Sequence, residues 1–164
     1  MSKPHSPLAI ANEFINRSNG ELTQMQLQKL VYLAHGWMLG ATDRPLISEQ
    51  VEAWQFGPVI RSLYDALKKY GSSSVAKPLK WGDDTPFSLD QGEVAKEPLR
   101  PDEDFIIGMV WEKYGHMPAF KLSALTHEAG TPWSMSYEPQ KNRPISNETI
   151  RDHFRQLLTE ANVA

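Results

Sequence analysis

Cysteine is absent from this chain of 164 residues. Disulfides, thiolate catalysis, cysteine-ligated zinc and iron–sulfur clusters are therefore excluded, and the composition suits a reducing compartment. No apolar run approaches the ~20 residues of a membrane-spanning helix. Met1 to Pro7 lack the hydrophobic stretch and cleavage signature of a secretion signal. The expectation is a soluble protein that stays in the cytoplasm where it is made, with no membrane partner. Positive charge is not in excess: 17 Lys and Arg face 20 Asp and Glu, a net charge of −3. No overall field draws phosphates, so nucleic acid is not an expected partner. Glycine-rich phosphate loops and the G-x-S-x-G nucleophile turn have no match. The five histidines (His5, His35, His116, His127 and His153) include no H-E-x-x-H pattern and no pair at i, i+4.

What the chain does have is helical periodicity. With 40% hydrophobic and 23% charged residues, its length suits one domain with a real core. Ser6-Pro7 predicts a helix start, Ile10, Ala11, Phe14 and Ile15 an inward stripe, and Asn19-Gly20 a stop. Thr23 and Gln26 form a capping box for a second helix. There Leu27, Leu30, Val31, Ala34, Trp37 and Met38 define one buried face, with Met25, Lys29, Tyr32 and Gly36 opposite. From Arg44 to Val59 the period becomes extended, suggesting a short hairpin. Gly57 ends it, and Pro58 is expected at the first position of the next helix. Ile60, Leu63, Tyr64 and Leu67 would face inward there, with Gly71 at the C-cap.

Residues 71–101 read as a long irregular connection, with Ser72-Ser73-Ser74 and prolines at 78, 86, 98 and 101. Trp81, Phe87 and Leu89 could pin it to the core; its length and stranded aromatics make it a second candidate contact surface, so deleting Ser72 to Gly82 is expected to weaken partner binding and to be dispensable for folding. Asp102 is predicted to cap a helix carrying Phe105, Ile106, Met109, Val110 and Tyr114. Another helix runs from about Ala119 to Glu128, with Leu122 and Leu125 inward, and ends in a turn at Gly130 to Trp133. Ser146 caps a last helix with Ile150, Phe154 and Leu157 as its stripe. The fold class is mainly α: a single compact helical domain over residues 1–164 with a short extended element around residues 45–57.

Each chemical reading has a plainer rival. His127 lacks a partner at metal-ligand spacing and reads as a half-buried structural residue, and His35 as a boundary residue. Acidic pairs at Asp83-Asp84 and Asp102/Asp104 fit solvated loops and helix starts. Arg151 and Arg155 flank an aspartate on a solvated helix face. Tryptophans 37, 54, 111 and 133 are core candidates, whereas the placement of Tyr32, Tyr64, Trp81 and Tyr137 decides between packing and a partner surface.

Three strings carry more. Leu27-Gln28-Lys29-Leu30-Val31-Tyr32 running on to Trp37, Glu52-Ala53-Trp54-Gln55-Phe56-Gly57-Pro58-Val59, and Leu125-Thr126-His127 with Pro132-Trp133 resemble the Panacea-domain family of SocA-like antitoxins, which includes phage-associated GepA-like proteins. The resemblance implies a mostly helical, non-enzymatic antitoxin with no cofactor and no metal, acting in the cytoplasm of a bacterium or from a prophage. Its partner would be a cognate toxin encoded by an adjacent gene and neutralised by direct contact. Leu27, Lys29, Leu30, Tyr32, Trp37, Trp54, Gly57, Pro58, His127, Pro132 and Trp133 would be its architectural landmarks. Lys29 and Tyr32, opposite the main stripe, are candidates for contact with another helix or a partner, and Trp81 for contact with a partner. The rival reading is an adaptor that delivers a bound client to a protease. A promoter-binding role is disfavoured by the acidic balance, and the sequence sets no oligomeric state.

Overall fold

Every residue of the second helix from Leu27 to Gly40 is buried, so neighbouring elements surround it. In this computed structural model, which describes residues 3–86 and 92–163, that helix is α2 (Gln24–Thr42). Around it pack α1 (Pro7–Arg17), α3 (Arg61–Leu67), α4 (Pro101–Tyr114), α5 (Ala119–His127) and α7 (Asn147–Val163). The two-faced reading of α2 is thus corrected. Only Met25 of the supposed outer face is exposed, while Lys29 and Tyr32 are 3% and 2% exposed. The apolar stripe was real, but α7 covers the other side.

Local signals set most helix ends. The Ser6 hydroxyl accepts from Leu8 N–H ahead of Pro7, and Thr23 and Gln26 form the reciprocal box at α2. Asn19 and Gly20 end α1 with positive φ. Some starts differ from expectation. Arg100, not Asp102, is the N-cap of α4, with Pro101 first and three acidic residues in the opening turn. The turn expected at residues 130–133 is a short helix, α6 (Pro132–Ser136), whose cap Thr131 accepts from Ser134 N–H at 3.3 Å. Tyr64 and Leu125, expected inward, are 39% and 37% exposed, and Phe105 on α4 is 70% exposed.

The extended element is a hairpin of β1 (Val51–Trp54) and β2 (Gly57–Val59). Pro58 lies within β2 opposite Ala53 and does not start a helix. This is an edge strand, where a missing N–H is tolerated. A third strand, β3 (Arg143–Ile145), completes an antiparallel sheet of order β2-β1-β3. Three residues in a polar, proline-bearing segment gave no periodicity from which to predict it.

Between the 3₁₀ turn at Lys68–Tyr70 and α4, the described residues form no helix or strand. Small aliphatic residues pin this stretch: Val75, Leu79 and Ala95 are fully buried. The Asn12 side chain grips it, accepting from Leu79 N–H (2.7 Å) and donating to the Leu79 and Ala95 carbonyls (2.9 and 2.8 Å). Trp81 is 40% exposed and is not the anchor; Phe87 and Leu89 lie outside the described residues.

Candidate functional site

The three strings singled out in the sequence meet at the β1–β2 hairpin. Gln28, on α2, clasps the backbone of Ile60 just beyond β2. Its Oε1 accepts from Ile60 N–H and its Nε2 donates to the Ile60 carbonyl, both at 3.0 Å. From the next residue, the Lys29 ammonium donates to the Pro58 carbonyl at 3.0 Å. Together these side chains satisfy backbone groups that an edge strand would otherwise leave open. On the other side, Trp133 Nε1 donates to the Trp54 carbonyl at 2.5 Å. The Ser123 hydroxyl donates to the Phe56 carbonyl at 3.1 Å. Helices α2, α5 and α6 therefore clamp one four-residue stretch, Trp54 to Gly57, and its immediate continuation.

Gly57 is required here for two reasons. Neither Gln55 nor Phe56 has positive φ, and Gly57 takes up the chain reversal at φ 123°, a region essentially closed to other residues. A Cβ there would also stand 2.9 Å from Lys29 Nζ and 3.7 Å from His127 Cβ.

Aromatic rings gather on the hairpin. Trp54 packs on Tyr64 with centroids 4.9 Å apart, Arg61 lies 5.2 Å over its ring, and its Nε1 donates to Glu52 at 3.0 Å. Glu52 in turn accepts two hydrogen bonds from Arg61. Trp133 stacks on Tyr137 at 4.5 Å and meets the half-buried His127 edge-on at 5.3 Å. His127 Nδ1 donates to the Ser123 carbonyl of the preceding turn. Three apolar side chains around this cluster remain open to solvent: Phe56 at the hairpin tip (66% exposed), Phe120 one turn before Ser123 (75%) and Met135 on α6 (66%).

The structure separates the remaining landmarks from this surface. Leu27, Leu30 and Pro132 are buried. Trp37 is 6% exposed and donates to the Tyr114 hydroxyl at 3.2 Å. Tyr32 meets Phe154 of α7 edge-on at 6.0 Å. Both Tyr32 and Lys29 make the internal contact expected of them: Tyr32 packs against another helix, Lys29 reaches the hairpin backbone, and neither lies on the outer surface. Burial lowers the Lys29 pKa from the usual lysine range to about 8. His35 is fully enclosed rather than a boundary residue. Its Nδ1 accepts from Leu46 and Ile47 N–H (3.2 and 3.3 Å) and its Nε2 donates to Asn147 at 3.0 Å. Among the described residues, no group of histidines and carboxylates has a metal-binding arrangement and no helix is long and apolar enough to cross a membrane.

Sequence reasoning did not single out Gln28, Phe56, Phe120 or Met135. A polar Gln28 next to the apolar stripe was the one available signal. The exposure of the other three depends on which face the neighbouring elements leave uncovered.

A helical domain presenting a clamped hairpin with open aromatic side chains is the class this arrangement defines. The chain belongs to the SocA-like antitoxin family: the family model for the SocA-like antitoxin Panacea domain matches residues 27–134. It is 31% identical over 157 residues to Antitoxin SocA of Caulobacter vibrioides (strain NA1000 / CB15N), a match covering 90% of this chain and 81% of that protein. No solved structure matches it. The family match begins at the first fully buried turn of α2 and ends in α6, leaving α7 outside.

Proposed function

We propose that this protein is an antitoxin that neutralises a cognate toxin by direct binding, with the toxin docking on the hairpin platform around Phe56 and Phe120. One observation carries this reading. Gln28, Lys29 and Trp133 of the family strings hold the backbone of one hairpin, and that hairpin projects a large aromatic side chain into solvent. Rigid, exposed aromatics are the usual anchors of protein interfaces. A toxin covering the platform would bury an area on the order of 1,600 Å² in all. Trp81, 40% exposed, is a second candidate contact, and among the described residues no contact ties it to the platform.

Co-expression with the product of the neighbouring gene tests the proposal. The wild-type protein should restore growth and co-purify with that product. Phe56→Ser combined with Phe120→Ser should weaken the complex by at least about a hundredfold while leaving the thermal melt unchanged. A neighbour that is harmless alone and forms no complex would remove the antitoxin reading. A complex indifferent to the double substitution would move the interface elsewhere. Blocking the toxin and delivering it to a protease both need such a surface, and the toxin's half-life with and without this protein separates them.

A further inference from the structure

A cavity of about 90 Å³ lies between the α5–α6 corner and α7. It is far smaller than the ~300–1,000 Å³ of drug-sized ligand pockets, yet larger than one water requires, about 10–15 Å³. Aromatic rings of Tyr32, Tyr114 and Phe154 and the aliphatic side chains of Leu125 and Leu157 line it. Tyr32 is 2% exposed, and among the described residues no protein group hydrogen-bonds its hydroxyl. The hydroxyl is not sealed off, since among the described residues the enclosed side-chain polar atom without a partner is Ser62 Oγ, so it is free to bond whatever enters the cavity. Glu128 also lines the cavity; its side chain is exposed, and among the described residues no lysine or arginine pairs with its carboxylate. His153, the other titratable lining group, is held below the usual histidine range by burial and does not supply the missing positive charge.

An apolar, aromatic-walled slot with a carboxylate at its rim and a phenol oxygen open to it is chemistry for a cation on an aliphatic stem. We propose that this cavity receives a single arginine or lysine side chain of the protein partner. The stem would lie against Leu125 and Leu157, and the cationic head would donate to the Tyr32 hydroxyl oxygen and the Glu128 carboxylate. That a partner protein supplies the side chain rests on the antitoxin reading; the preference of the cavity for a cation does not.

Two measurements separate these. Butylguanidinium titrated into the free protein should shift the Leu125 and Leu157 methyl resonances saturably, in the millimolar range expected of so small a ligand. The uncharged n-pentanol, and the Glu128→Gln variant, should each weaken the response by at least about fivefold. A response that does not saturate, that n-pentanol matches, or that ignores Glu128→Gln would mean a cavity holding water only and would overturn the proposal. In the purified complex, Glu128→Gln should speed dissociation to a similar extent. A complex that forms and tolerates the change would remove the partner's side chain from this site while leaving the antitoxin reading intact.

Discussion

Lys29 is buried, and among the described residues its ammonium meets no carboxylate and donates to the Pro58 carbonyl. An ammonium in such a place opposes folding, because desolvation is compensated only in part. The folded-state pKa is lowered from 10.5 to about 8, so between those values the unfolded chain binds more protons and stability should rise with pH. The gain should approach the order of 3 kcal/mol by pH 10.5. Urea titrations at pH 7.5 and 9.5 should show it in the wild type and not in Lys29→Met. Gly57 above it tolerates no side chain at φ 123°. Gly57→Ala should lower stability by about 1–3 kcal/mol, and a melt unchanged by that substitution would show that the hairpin is not clamped as described.

The pairing of α2 with α7 rests on a different device. A Cβ on Gly36 would stand 2.2 Å from the Phe154 ring, and one on Gly40 2.8 Å from Phe154 Cβ. Two glycines one turn apart thus cut a slot into α2, which the fully buried Phe154 fills. Gly36→Ala should destabilise by about 1–3 kcal/mol through overpacking, and Phe154→Ala by about 3–5 kcal/mol. Because both act on one contact, the double variant should lose measurably less than the sum of the two. Full additivity in denaturant melts would argue against this seating of α7. The same helix is tied at its start by Asn147 to His35.

Across the molecule, two histidines hold distant segments and should oppose each other in pH. Burial lowers the His35 pKa from 6.5 to about 4, outweighing the hydrogen bond to Asn147, so its contribution is present above 6.5 and is lost as pH falls through 4. His5 lies between Glu103 (Nε2 to Oε1, 2.9 Å) and Glu97 (Nδ1 to Oε2, 3.0 Å), joining the N-terminal segment to α4 and to the end of the long connection. Burial acts to lower its pKa, but hydrogen bonds and charge from Glu103 and Glu97 prevail and raise it above 6.5. Its contribution is complete below 6.5 and fades as pH climbs through the raised value. His35→Gln should flatten the acid limb of the stability profile, and His5→Gln the limb above neutrality. Either variant leaving its own limb untouched would contradict these assignments. The connection itself is structural at Val75, Leu79 and Ala95. Deleting residues 72–82 should therefore abolish cooperative unfolding, contrary to the expectation that it is dispensable, since burying each such side chain contributes about 1.5–3 kcal/mol of a total near 5–15.

Much of the architecture was readable from short-range rules. Ser6-Pro7, Thr23 with Gln26, Gly71 and Ser146 mark chain reversals and caps whose chemistry lies within four residues, and the apolar period of α1 and α2 needed nothing more. The family strings were equally legible, and so was the half-buried placement of His127. What escaped depended on how the elements pair and pack against one another. Gly36 and Tyr32 look like an outer face until Phe154, more than a hundred residues on, lies across them. Pro58 looks like a helix start until Ala53 pairs with it. Phe56 and Phe120 carry no local signal of exposure, yet the assembled fold leaves them 66% and 75% uncovered. Local spacing specifies which residues form an element and where it ends; which of its faces meets water is settled only when the other elements have packed.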